Sequence, residues 1–341
     1  MTARTYHLTA EHDRLSLGQA LKRLLDGQSW SQVRRAISGR KVQVNGNLCL
    51  DEARRVKAGD VIRLWDHPLA KPADASDVKI VHLDEHLVVA QKPAGVTTLR
   101  HREETDLRER RKQLQPTLDE LLAEILAEHG SPKRKRGTRS PPERHGGRSL
   151  QRRRRLVRPV HRLDRDTSGL MVFARTPEAE RLLIRMFARH AVTRAYVAVV
   201  HGRVEAQTID TWLVRDRGDG LRGSSPLDQA AEGAQRAITH VRPLEHLPGY
   251  TILECRLETG RTHQIRIHLS EIGHMLCGEK TYTRPLGGPP REDASRAPRH
   301  ALHAAELAFT HPITGQALRF RMPLPKDLKE WLVKLRDGRS K

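Results

Sequence analysis

Cysteine is scarce in this 341-residue chain, and the three present, Cys49, Cys255 and Cys277, stand far apart with no Cys-x-x-Cys pair. That spacing speaks against a disulfide framework or a cysteine zinc site and leaves reduced, structural thiols. Aromatic residues are also few, at 4%, which leaves few rings for extensive stacking on any partner. No run approaches the ~20 apolar residues of a membrane-spanning helix. The opening Met1-Thr2-Ala3-Arg4-Thr5-Tyr6-His7 has no apolar signal region. A cytoplasmic protein without membrane attachment is the expectation.

Positive charge, in contrast, is abundant. The formal net charge is +21 and the pI about 10.7, which points to a polyanionic partner. Residues 131–158 hold twelve Lys and Arg against one acid, Glu143, a net +11 that leaves +10 for the remainder. Nucleic acid is therefore favoured even with that segment removed. The segment has too little apolar surface to offset the entropy of ordering, so it reads as a basic, flexible insertion. A phosphate-binding arm that adds affinity without sequence information is one role for it, and a solvated tether the other. It lacks the apolar face of a membrane-surface helix.

Along the chain, Leu17, Ala20, Leu21, Leu24 and Leu25 form the apolar stripe of an amphipathic helix within residues 13–26. A second helix from Ser31 to Ser38 turns Val33 and Ile37 inward and Arg34 and Arg35 outward. Val42 and Val44 then alternate into an Asn45-Gly46 turn, a strong hairpin signal. Residues 66–77, with Pro68 and Pro72, read as a linker. Val78 to Ala90 predicts a β-hairpin turning at Asp84-Glu85, and Leu118, Leu121, Leu122, Ile125 and Leu126 give a helical stripe. Thr176-Pro177 opens a further helix with a cap and a proline at its first position. Residues 203–235 read as a loop-dominated excursion, residues 250–269 as strand, and Lys326 to Leu335 as a terminal helix.

Residues 161–176 carry the strongest chemical pattern. His161-Arg162-Leu163-Asp164-Arg165 sets a short carboxylate between arginines, and Thr167-Ser168-Gly169 turns the chain into the apolar run Leu170-Met171-Val172-Phe173. Neighbouring cations favour an ionised Asp164, suited to nucleophilic attack or ion pairing rather than to acid catalysis. Rival motifs are weaker. Gly273 to Thr281 nearly spells a phosphate-binding loop, but Glu279 puts negative charge where phosphate would sit. His263 and His268 are five apart, a poor metal spacing, and Thr167-Ser168-Gly169 lacks the Gly-x-Ser-x-Gly elbow of a hydrolase.

His161 to Val172 resembles the defining motif of the RluA-type pseudouridine synthases. Three further matches follow the family's order: Asp84-Glu85 with Leu87 to Gly95, Arg194 to Gly202, and Thr259 to Leu269. Residues 13–65, with two small helices and short strands, resemble the alpha-L RNA-binding domain, although Gly18 stands where that family more often has an acid.

The resemblance implies an α+β chain: an RNA-binding module over 1–67, a linker over 68–77, and a synthase domain over 78–336 with a mixed, mainly antiparallel sheet. It implies Asp164 as the catalytic aspartate, Tyr196 as the tyrosine that stacks on the base and relays a proton, and Arg266 as the aspartate's partner. Arg162 would replace the flipped-out base, while Arg34 and Arg35 are candidate RNA contacts. If the segment around Arg266 is a strand, Ile265 and Ile267 face its apolar side. No chemistry is assigned to Lys92.

Isomerisation of uridine needs neither redox cofactor nor energy source, so no cofactor and no metal are expected. Large-subunit ribosomal RNA is the preferred substrate over tRNA, and a monomer the expected state. The alternatives are a non-catalytic RNA-binding or ribosome-assembly factor that retains the fold, and a polyanion-binding scaffold governed by residues 131–158.

Overall fold

The computed structural model describes residues 3–45, 47–69, 73–100, 116–129, 157–225 and 233–337. The basic insertion expected over 131–158 lies outside these residues except at its last two positions, as does Gly46. The chain divides into two compact units, the described residues of Met1–Asp74 and Leu99–Thr117 in one and those of Ala75–Thr98 and Leu118–Lys341 in the other.

In the first unit, strand β1 (Ala3–His7) precedes helices α1 (Leu17–Leu24) and α2 (Trp30–Ser38), then strands β2 (Val42–Val44), β3 (Asn47–Leu48) and β4 (Val61–Trp65). Ser16 and Ser29 cap the two helices by accepting the backbone N–H of Gln19 and Gln32, whose side chains return the bond. The apolar stripes do what the spacing predicts. Leu17, Ala20, Leu21, Val33 and Ile37 pack on Val42, Val44 and Ile62 in one core. Strand β1 was not foreseen. It pairs antiparallel with β4, closing a four-stranded sheet in the order β1-β4-β2-β3.

The second unit is built on an eleven-stranded sheet. The expected hairpin is β5 (Lys79–Leu83) with β6 (Leu87–Lys92), followed by α3 (Leu118–His129), the two-residue β7 (Arg158–Pro159) and β8 (Ser168–Ala174). Next come α4 (Pro177–Ala188), β9 (Thr193–His201), β10 (Gln207–Val214), β11 (Gly223–Ser224), β12 (Gln235–Leu247) and β13 (Tyr250–Leu257). Helix α5 (Gln264–Glu271), the pair β14 (Leu302–Thr310) and β15 (Ala317–Arg321), and α6 (Lys326–Arg336) complete it. The order is β11-β10-β12-β13-β9-β14-β8-β6-β5, with β15 on β14 and β7 on β8. Only the β14–β8 pair is parallel among the described strands, so the sheet is mixed and mainly antiparallel.

Strand β8 is buried at every position from Ser168 to Ala174, as its unbroken apolar run requires of a central strand covered on both faces. Gly169 fixes how β8 meets β14. It adopts φ +136°, and a Cβ there would come within 2.4–2.6 Å of the Ala304 backbone and Cβ, so only glycine lets the two strands close.

Two expectations are corrected. The excursion over 203–235 contains β10, which pairs with β12 along Gln207 to Leu213; its alternation is diluted by Thr208, Asp210 and Thr211. The segment around Arg266 is a helix rather than a strand. Every residue from Gln264 to Ser270 is buried, so the helix has no polar face and its alternating isoleucines mimic a strand. The linker expected over 68–77 ends in a short 3-10 turn, Ala75–Asp77, grouped with the second unit.

Candidate active site

Asp164 sits in the loop that delivers the chain from β7 to β8, and hydrogen bonds hold that loop on both sides of the carboxylate. The Thr98 hydroxyl donates to Leu163 O at 2.9 Å and accepts from Leu163 N at 3.2 Å. Arg165 O accepts from Lys92 Nζ at 2.8 Å and from Gly95 N at 2.9 Å. Asp164 O accepts from Thr167 N at 3.2 Å, closing the turn. Farther on, His300 Nε2 meets the Thr167 hydroxyl and His303 Nδ1 the Ser168 hydroxyl, each at 2.9 Å. Such bonding leaves Asp164 little backbone freedom, which suits a group that must meet its target at a fixed angle.

Lys92, to which no chemistry was assigned, is fully buried. Burial lowers its pKa to about 7 against the opposing pull of Asp166 and Asp164. With its ammonium on the carbonyls of Pro93 and Arg165, it braces the loop.

Arg266 reaches Asp164 from α5, whose start is set by a left-handed residue, His263, at φ 60° and ψ 15°. Gln264 locks the preceding turn, since its side-chain oxygen accepts from the Thr259 hydroxyl at 2.8 Å and from Arg261 N at 2.9 Å. One terminal guanidinium nitrogen of Arg266 lies 3.3 Å from Asp164 Oδ2. The other two nitrogens grip Glu279 at 2.8 and 2.7 Å, a fork-to-carboxylate geometry that gives both direction and strength.

Burial alone would raise the Glu279 pKa, but the Arg266 hydrogen bonds and charge outweigh it and hold the group at about 2. Arg266 is likewise raised above its ordinary value because the carboxylates Glu279 and Asp164 outweigh its burial. Its guanidinium also lies over the Tyr282 ring at 5.1 Å, and Tyr282 OH meets His263 Nδ1 at 2.7 Å. His263 Nε2 is 3.7 Å from Asp164 Oδ1; burial lowers the His263 pKa, with Asp164 opposing.

Asp164, Arg266, Tyr196 and Arg162 all line one cavity of about 470 Å³. Tyr196, on β9, is 7% exposed, and burial raises its pKa. No protein group among the described residues bonds to its hydroxyl, which leaves the oxygen available to a ligand. The Arg162 side chain is exposed at the cavity wall. His161 is partly buried, stacks on Phe187 at 4.7 Å and accepts from Val172 N at 3.1 Å; loss of solvent around the ring lowers its pKa to about 3, so it is a neutral structural group.

The structure therefore brings four of the six candidate residues together. Arg34 and Arg35 lie on α2 of the first unit, both exposed, with Arg34 paired to Glu52 at 3.1 Å. The ion pair of Asp164 runs to Arg266 rather than to its sequence neighbours, with the His263 imidazole beside it. Arg165 instead donates from Nε to Gly95 O at 3.3 Å.

Sequence reasoning missed Glu279, Tyr282, His263 and Thr98 as parts of this site. The one available signal was Glu279, whose misplaced charge in a glycine-flanked loop demands a cation that Arg266 supplies. Among the described residues no group of three or more His, Cys, Asp or Glu side chains is placed to hold a metal ion.

A family model described as RNA pseudouridylate synthase matches residues 86–271, and an S4 domain model matches residues 17–62. A Zymomonas mobilis protein named ribosomal large subunit pseudouridine synthase D is 34% identical, covering 94% of each chain. A Nitrosomonas europaea protein of the same name is 33% identical over 95% of this chain and 85% of its own. Among solved structures, human RNA pseudouridylate synthase domain containing 1 superposes with a TM-score of 0.53 at 24% identity, covering 77% of this chain and 90% of its own. The last shows likeness of fold alone.

Proposed function

The chain belongs to the RNA pseudouridylate synthase family and is an isomerase that converts uridine to pseudouridine in RNA; we propose that its substrate is large-subunit ribosomal RNA and that Asp164 is its catalytic carboxylate. The observation that carries the site assignment is the Asp164–Arg266 pair at 3.3 Å, facing a cavity that Tyr196 also lines. The ribosomal preference rests on the names of the relatives that match nearly the whole chain and on the S4 domain match at residues 17–62.

The reaction breaks the bond from the ribose to N1 of the base, turns the base and rejoins the ribose at C5. The C5 proton leaves and N1 gains one, so atoms and electrons balance without a co-reactant. Asp164, aimed by Arg266, attacks or stabilises the detached intermediate. Attack at the sugar, attack at the base and elimination to a glycal all use the same placement.

The Tyr196 ring stacks on the target base and its hydroxyl relays the proton. Arg162, exposed beside the cavity, enters the stack vacated by the flipped uridine; flipping costs a few kcal/mol, and the guanidinium plane offsets part of it. Arg34 and Arg35 present charge to RNA phosphate from the first unit. The protein works as a monomer in the cytoplasm, and no helix among the described residues is long and apolar enough to cross a membrane.

Pseudouridine mapping of total RNA from cells with and without this gene tests the substrate. Sites in large-subunit ribosomal RNA that vanish with the gene support it. Loss confined to tRNA, or an unchanged map, overturns it.

A further inference from the structure

Helix α4 is amphipathic. Ala179 and Leu183 are buried and Met186 and Phe187 partly so, while the opposite face carries Arg181, Arg185 and Arg189, all exposed. A spacing of four residues places successive arginine Cα atoms about 6 Å apart along the axis, on one face, with Arg189 as the residue that caps the C-terminus of the helix. None of the three makes an ion pair among the described residues. The helix has acids of its own, but Glu180 is engaged by Arg158 at 3.0 Å, leaving Glu178 at the far N-terminal end. Between Arg181 and Arg185 the apolar Ile184 is 48% exposed.

The stripe also has a destination. At the C-terminal end of the helix, Phe187, Ala188 and His190 line the Asp164 cavity, and Arg189 stands between the last two. An exposed cationic row that ends at the Asp164 cavity has the form of a track for a polyanion, whose phosphates would supply the counter-charges that the described residues do not.

We propose that Arg181, Arg185 and Arg189 form a phosphate track on α4 that carries the single-stranded segment of RNA flanking the target uridine into the cavity. Ile184 gives that segment an apolar contact between phosphates. The track reads the backbone and not the base, so it contributes affinity and register without sequence preference. The proposal rests on the reading of the chain as an RNA-modifying enzyme.

The test measures the affinity of the full chain for a labelled oligouridylate across a salt series. Arg181→Glu with Arg185→Glu should weaken binding at low salt at least about tenfold. It should also flatten the log–log salt dependence by about 0.7 for each phosphate that the helix no longer neutralises. Arg181→Gln with Arg185→Gln should flatten it similarly without adding acid, while Arg181→Lys with Arg185→Lys should restore it.

Lys329→Glu with Lys334→Glu on α6 makes the same charge change elsewhere. Unchanged slopes in both the Glu and Gln variants, or an equal effect from the α6 control, would overturn the track. Isomerisation of ribosomal RNA by the wild-type chain is assayed alongside; its absence counts against the enzyme reading, whereas the slope reports on the track.

Discussion

Arg266 and Glu279 meet as a buried, two-bonded pair at 2.8 and 2.7 Å, and the nitrogen left over is the one that points at Asp164. The pair explains why an arginine can stand 10% exposed beside a second carboxylate, Asp164. Glu279 meets most of the cost of burying the cation and locks its plane, and it also accepts the backbone N–H groups of Lys280 and Thr281 at 3.0 and 2.9 Å.

Removal of Glu279 should therefore cost stability and activity together. Glu279→Ala leaves a buried guanidinium without its fork, a loss of about 3–5 kcal/mol for a broken buried pair. Urea unfolding measures it, and kcat should fall further than that of Glu279→Gln, which keeps one acceptor for Arg266. Equal stability in Glu279→Ala and wild type would contradict the buried-pair account.

The same pair gives acid sensitivity a definite sign. The Glu279 pKa is depressed from 4.5 to about 2 in the folded chain, so its stabilisation is complete above pH 4.5 and drains away between about 4.5 and 2. His268 and His303 are depressed from 6.5 to about 4 by burial. They must charge on unfolding in acid, so stability starts to fall below pH 6.5. A pH series of unfolding free energies should decline from 6.5 downward, with the lower limb reduced in Glu279→Gln. A maximum near pH 4 would refute the assignment.

Gly169 offers a test of how the Asp164 loop is mounted. A Cβ at this position meets Ala304 at 2.4–2.6 Å in a backbone conformation with φ +136°. Gly169→Ala should cost about 1–3 kcal/mol or more from overpacking and strain, and displacing β8 should lower kcat through Asp164. Unfolding and steady-state rates on the same preparation check both. A variant as stable and as active as wild type would show that the strand junction tolerates a side chain.

Tyr196 should separate ring from hydroxyl. Tyr196→Phe keeps the stacking surface, so RNA affinity should hold, while loss of proton relay should cut kcat on the order of 100-fold or more. Parallel binding and single-turnover measurements distinguish the roles. A full-rate phenylalanine variant would remove the hydroxyl from the chemistry.

Much of this architecture could be read in the sequence where one physical signal dominates locally. The unbroken apolar run of β8, the stripe of α1 and the Thr176-Pro177 start of α4 each state their structure within a few residues. Helix α5 was illegible because it is buried all round, so no polar face marks the 3.6-residue period and Ile265-Arg266-Ile267 resembles a strand. Strand β1 was hidden because its pattern is mostly exposed and its pairing with β4 joins segments far apart in the chain.

The site divides in the same way. Asp164, Tyr196 and Arg266 could be named from motifs, but their supports could not, because Thr98 reaches Leu163 across 65 residues. Glu279 was visible only as a charge that spoiled a different motif.

The most direct test of the catalytic role is Asp164→Asn, assayed for pseudouridine formation in ribosomal RNA by the purified full chain alongside its RNA affinity and unfolding curve. The amide keeps the size of the side chain and removes the negative charge that Arg266 faces. The expected result is a folded protein that still binds RNA and forms no detectable pseudouridine. A variant that isomerises uridine at the wild-type rate would contradict the assignment of Asp164.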